Sequence, residues 1–77
     1  MTIKVRINFM GQLKKKVGRS SLELEFKSGA TVEDVLQHFS DVGASGSVVM
    51  LRNREVDSSD YLNHGDTLYL LEPIQGG

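Results

Sequence analysis

The 77-residue chain has no cysteine, no tryptophan and a single proline. Without cysteine there is no disulfide framework and no thiolate metal site. Any sulfur the protein handles cannot ride on a side-chain persulfide. No Gly-rich phosphate loop is present, so the chain has no ATP site of its own. No nucleophile sits beside a base, and no pair of metal ligands has a useful spacing. His38 and His64 are far apart and lack an Asp or Glu at ligand spacing, so no metal or catalytic role is expected for them. No apolar run approaches the ~20 residues of a membrane span. No signal-peptide pattern precedes the first strand pattern, and a cytoplasmic location is expected. A formal charge of -1 gives no global attraction to nucleic acid or anionic lipid. There is no internal repeat and no low-complexity stretch.

What remains is an ordinary globular composition, 39% hydrophobic and 25% charged. At this length there is room for one modest core and no second domain. Ile3, Val5, Ile7 and Phe9 alternate with Lys4, Arg6 and Asn8, which predicts a half-buried strand. Leu22, Leu24 and Phe26 alternate with Glu23, Glu25 and Lys27 and predict a second strand. The connection is too long for a tight hairpin. Within it Phe9, Leu13 and Val17 recur every four residues, so a short helix from about Gln12 to Val17 is expected, closed by Gly18.

Ser28-Gly29 is a turn. Thr31 is placed as an N-cap, with Asp34 completing an imperfect capping box. Val32, Val35, Leu36 and Phe39 then share one face of a helix expected to stop near Asp41, because Gly43 and Gly46 are poor helix residues. Val48 to Leu51 reads as a buried strand. Arg52-Asn53-Arg54 is a turn in which Asn53 can adopt a left-handed conformation. Glu55-Val56 forms a short return strand. Asp60-Tyr61-Leu62 reads as a helical turn or loop. His64-Gly65-Asp66 is another turn, and Thr67 to Leu71 is the last strand.

Four or five short strands with one real helix predict an α+β fold. The sheet is mixed, with the helix packed on one face. The first and last strands are expected side by side and parallel at its centre. In the last strand Leu68 and Leu70 would face the helix, leaving Tyr69 and Leu71 outward. A register shifted by one residue would instead put Leu71 in the core.

The chain stops at Glu72-Pro73-Ile74-Gln75-Gly76-Gly77. Pro73 lacks an N–H and cannot continue strand pairing. Residues 1–72 are therefore expected to form the domain and residues 73–77 a flexible tail. Fully extended, the tail would reach about 17 Å. Two terminal glycines can enter a narrow channel, since no Cβ blocks close approach. With no other reactive group available, the Gly77 carboxylate is the candidate reaction centre. The dipeptide alone is equally a frayed end, a truncation or an expression remnant.

Three segments together resemble the MoaD/ThiS-type ubiquitin-like sulfur carriers, and within that family the molybdopterin synthase small-subunit branch. They are Ile3-Lys4-Val5-Arg6-Ile7-Asn8-Phe9 with Gly11-Gln12-Leu13 and Val17-Gly18, then Gly29-Ala30-Thr31-Val32-Glu33-Asp34-Val35-Leu36, then Gly65 through Gly77. The family often has two prolines before its tail, where this chain has Glu72-Pro73. It often has Asn-Gly in a turn, where this chain has Asn53-Arg54. The resemblance implies a β-grasp fold with a four- to five-stranded sheet and one main helix. It implies that an E1-like adenylating enzyme of the MoeB/ThiF type uses ATP to adenylate Gly77. A sulfur donor would then displace AMP, leaving a thiocarboxylate.

In this reading Gly76 and Gly77 carry the reaction. Leu71 and Ile74 anchor the partner, Pro73 and Gln75 set the tail's path, and Tyr69 adds to the docking surface or merely shields the outer sheet face. A second partner would be the large subunit of molybdopterin synthase, of the MoaE type. The chain itself would be a carrier and co-substrate that binds no cofactor and no metal. It would count as an enzyme only as a subunit of such a synthase. Thiamine synthesis, tRNA thiolation and conjugation to protein lysines are the family's other uses of such a tail. Lys14, Lys15 and Lys16 lack interleaved aromatics and read as a solvated face, and no nucleic acid partner is expected. Arg52 and Arg54 read as a solvated turn. Asp60 and Asp66 read as turn residues.

Overall fold

The computed structural model describes residues 1–43 and 46–72. Residues 73–77, which hold the predicted tail, lie outside the described residues. The chain forms β1 (Thr2–Phe9), α1 (Gln12–Val17), β2 (Ser21–Lys27), α2 (Val32–His38), a 3-10 turn (Ser40–Val42), β3 (Val48–Leu51), β4 (Arg54–Val56) and β5 (Thr67–Leu71). The sheet has five strands in the order β2-β1-β5-β3-β4. β1 and β5 are parallel neighbours at the centre, with Ile7 opposite Leu68 and Phe9 opposite Leu70. All other pairings are antiparallel.

The period-two pattern of β1 fixes which side is core. Ile3, Val5, Ile7 and Phe9 are buried, together with Val49, Leu51, Leu68 and Leu70 from the other strands. Val32, Val35 and Leu36 of α2 close over them, joined by Phe39, Leu13 and Leu62. Phe9 and Phe39 meet edge to face with ring centroids 5.0 Å apart, a favoured aromatic geometry. No polar or charged residue is buried among the described residues, so this core depends on apolar packing.

Local chemistry sets the element ends. Gly18 takes φ 84°, and its N–H donates to the Lys14 carbonyl to close α1. At the start of α2 the Asp34 carboxylate accepts the Thr31 N–H at 2.8 Å, the N3-to-N-cap half of a capping box. The free N–H groups of Val32 and Glu33 donate to the carbonyls of Asp60 and Ser58. The β3–β4 hairpin turns on Arg52 and Asn53, both with positive φ, as a two-residue primed turn demands.

Two expectations need correction. α2 stops at His38 and not near Asp41, because the chain tightens there into the 3-10 turn that Gly43 ends at φ 79°. β3 is half-buried: Val49 and Leu51 face the core, while Val48 and Met50 lie on the other face. Residues 57–63 form a loop. It is bridged to the start of α2 through Thr31 and Tyr61 and held by an Asp57–Asp60 turn, so of the two readings of Asp60-Tyr61-Leu62 the loop is the one found.

Candidate functional site

β5 delivers the C-terminal end of the described chain to the sheet centre. Leu68 and Leu70 are fully buried, while Tyr69 is 45% exposed and Leu71 half-buried on the opposite face. The register is the one that alternation predicts. Tyr69 pairs across the ladder with Met50, and Leu71 with Val48. Met10 follows β1, where its N–H donates to the Leu70 carbonyl.

These placements create a shallow apolar groove of about 270 Å³, lined by Met10, Met50, Asn53, Tyr69 and Leu71. It lies on the sheet face away from α2, and Leu71 brings its rim within two residues of Pro73. Methionines suit a surface that must adapt to a partner, being flexible and polarizable. Tyrosine offers a rigid apolar ring with a polar tip. A second hollow of about 350 Å³ adjoins it, sharing Met10 and Tyr69 and adding Asn8, Gly11, Lys14 and Ser20.

Of the candidate residues read from sequence, the structure brings Tyr69 and Leu71 to this groove. Pro73, Ile74, Gln75, Gly76 and Gly77 lie outside the described residues. Sequence reasoning missed Met10, Met50 and Asn53. Met50 was legible in principle, since it alternates with the buried Val49 and Leu51. Finding Met10 and Asn53 required the order of strands.

Several of the remaining polar groups have structural partners. Arg52 donates to the Asp66 carboxylate at 2.8 Å, and the same oxygen accepts the Asn63 N–H at 2.7 Å. Arg52 is therefore paired across the 63–66 turn, and Asp66 is the turn residue expected of it. Arg6 and Glu23 form a looser exposed pair at 3.6 Å. His64 Nδ1 accepts the Lys4 N–H at 3.1 Å. His38 stacks edge-on with Phe26 and Phe39. Among the described residues no group of His, Asp and Glu could hold a metal ion, and no helix is long and apolar enough to cross a membrane. What this face offers is an exposed apolar groove two residues before Pro73.

A central parallel pair, a main helix across one face and an antiparallel flank define a ubiquitin-like β-grasp protein. The ThiS family profile matches residues 7–77, and the chain belongs to that family, whose members include MoaD/ThiS-like sulfur carriers. A candidate molybdopterin converting factor subunit 1 from Pyrococcus furiosus superposes with a TM-score of 0.81 at 17% identity, covering 94% of this chain and 99% of that one. SAMP1 from Haloferax volcanii superposes with a TM-score of 0.80 at 18% identity over 96% of this chain and 99% of its own. A complex of subunits 1 and 2 of the molybdopterin-converting factor from Helicobacter pylori contains a chain that matches with a TM-score of 0.62 at 21% identity, over 97% of this chain and 100% of that one. At these identities the likeness is one of fold. No curated protein matches the chain in sequence.

Proposed function

We propose that this protein is a sulfur carrier for molybdopterin synthesis, acting as the small subunit of molybdopterin synthase. The observation that carries the proposal is the family match, which runs through the diglycine end at residue 77. The outward placement of Tyr69 and Leu71 supports it, since it leaves an apolar docking face beside the tail.

The Gly77 carboxylate attacks the α-phosphate of ATP in the active site of an E1-like enzyme, and pyrophosphate leaves. The acyl-adenylate has a good leaving group where the carboxylate had none. A sulfur donor then attacks the carbonyl carbon and expels AMP, leaving a thiocarboxylate at Gly77. Docked on a MoaE-type large subunit, that sulfur is the nucleophile delivered to a pterin precursor. This chain supplies the terminus and the docking face, and the partners supply the ATP site and the catalytic groups.

A second reading shares the first step. The adenylated tail would instead pass to a lysine of another protein, as the fold shared with an archaeal modifier protein allows. The test is accurate intact mass after incubation with the host's activating enzyme, ATP and a sulfide source. Exchange of the terminal oxygen for sulfur adds about 16 Da, close to one methionine oxidation, so fragmentation must place the shift at Gly77. Met1, Met10 and Met50 must be shown unmodified. A shift at Gly77 is the expected result. No shift, alongside a ladder of conjugates on denaturing electrophoresis, would favour the modifier.

A further inference from the structure

Glu72 is the residue from which the tail departs, and its backbone has left the sheet. β1 stops pairing with β5 at Phe9 opposite Leu70, and β3 stops at Val48 opposite Leu71. The side chain takes over where the ladder ends. Lys16 Nζ donates to Glu72 Oε1 at 3.0 Å, joining residues 56 positions apart. The Lys16 side chain is 51% exposed and that of Glu72 31%. Lys16 stands near the end of α1, and its ammonium is 3.9 Å from where a Cβ on Gly43 would stand. The end of α1 is thus tied to the root of the tail.

We infer that the Lys16–Glu72 pair is a positioning latch, which fixes the direction in which the tail leaves the domain. The inference rests on the sulfur-carrier reading. The next residue makes such a latch effective. A following proline restricts the residue before it to extended backbone, so Glu72 has few backbone conformations left to it. Anchoring Glu72 by its side chain therefore fixes the point from which the tail starts. Leu71 and Glu72 also divide the labour between neighbours: Leu71 serves the groove, while Glu72 reaches to α1. A partner can therefore cover the groove without breaking the pair. Pre-aiming the tail reduces the ordering cost when a partner takes it into a channel, which strengthens binding more than it speeds chemistry. An exposed ion pair can supply only about a two- to five-fold effect.

The test uses ATP–pyrophosphate exchange by the activating enzyme on the full chain. Lys16→Glu and Glu72→Lys are each expected to raise the KM for the carrier about two- to five-fold, with kcat little changed. The swapped double variant should recover the wild-type KM. Unchanged KM in both single variants, or a double variant no better than the worse single one, would overturn the latch. The second outcome would mean that each charge touches the partner directly. A readout independent of that enzyme is the ¹⁵N heteronuclear NOE of the Ile74 amide in the free protein. It should fall in each single variant and recover in the double variant. An NOE that does not respond overturns the latch. Failure of the wild-type chain to support exchange would count against the sulfur-carrier reading, and the NOE would still decide the latch.

Discussion

The two faces of β5 carry opposite chemistry on alternate residues. Leu68 and Leu70 are fully buried beneath α2, while Tyr69 between them is 45% exposed and Leu71 rims an open apolar groove. All four residues have large apolar or aromatic side chains, so hydrophobicity alone does not separate them. The helix covers one face and leaves the other bare. On the covered face apolar area stabilises the fold. On the bare face similar area is available to a partner. A short strand can thus end a core and begin an exposed apolar face without a change in composition.

The comparison makes the two faces separable by mutation. Deleting Gly76 and Gly77 should abolish adenylation outright. The thermal midpoint should be unchanged, because the core residues among those described lie upstream; a large drop would mean that the tail is part of the fold. Leu70→Ala should cost about 2–5 kcal/mol in urea unfolding. That is a large share of the roughly 5 kcal/mol such a small domain can command. The paired variant Tyr69→Ala with Leu71→Ala should weaken binding to the partner enzyme by about 1–3 kcal/mol, read by calorimetry. Its own unfolding free energy should fall by less than that of Leu70→Ala. Equal losses of stability from the two faces would contradict the division. The smallest effect belongs to a residue on neither face. Asp34→Ala removes the acceptor of the Thr31 N–H and should cost about 1 kcal/mol of stability with binding untouched.

Much of the fold was legible because its signals are local. The alternation from Ile3 to Phe9 gave β1 and its inward side. The spacing of Leu13 and Val17 before Gly18 gave α1. The order of elements gave the parallel central pair. Local signals misled where packing overrides them. Gly43 marks the end of a 3-10 turn and not of α2, and between the two helices Phe39 packs on Phe9. Asp60-Tyr61-Leu62 has the composition of several turn types, and its bridge to Thr31 decides among them.

The candidate site was half legible. Tyr69 and Leu71 follow from strand parity once Leu68 and Leu70 are assigned to the core. Met10 and Asn53 do not, because they come from different elements and meet only when β1, β5 and β3 lie side by side. The Lys16–Glu72 pair was invisible for the same reason: Lys16 read as one of three solvated lysines, and its partner lies 56 residues away.

Sequence by itself determined which residues turn inward, where the helices begin, the family signature at the end of the chain and the absence of any thiol. Those properties depend on periods of two and four residues and on single-residue chemistry. Tertiary structure alone decided that three separate elements build one groove, that Arg52 is tied to Asp66, and that Lys16 reaches Glu72. Each joins residues at least 14 positions apart. Such proximity is created by strand order, which no local pattern encodes.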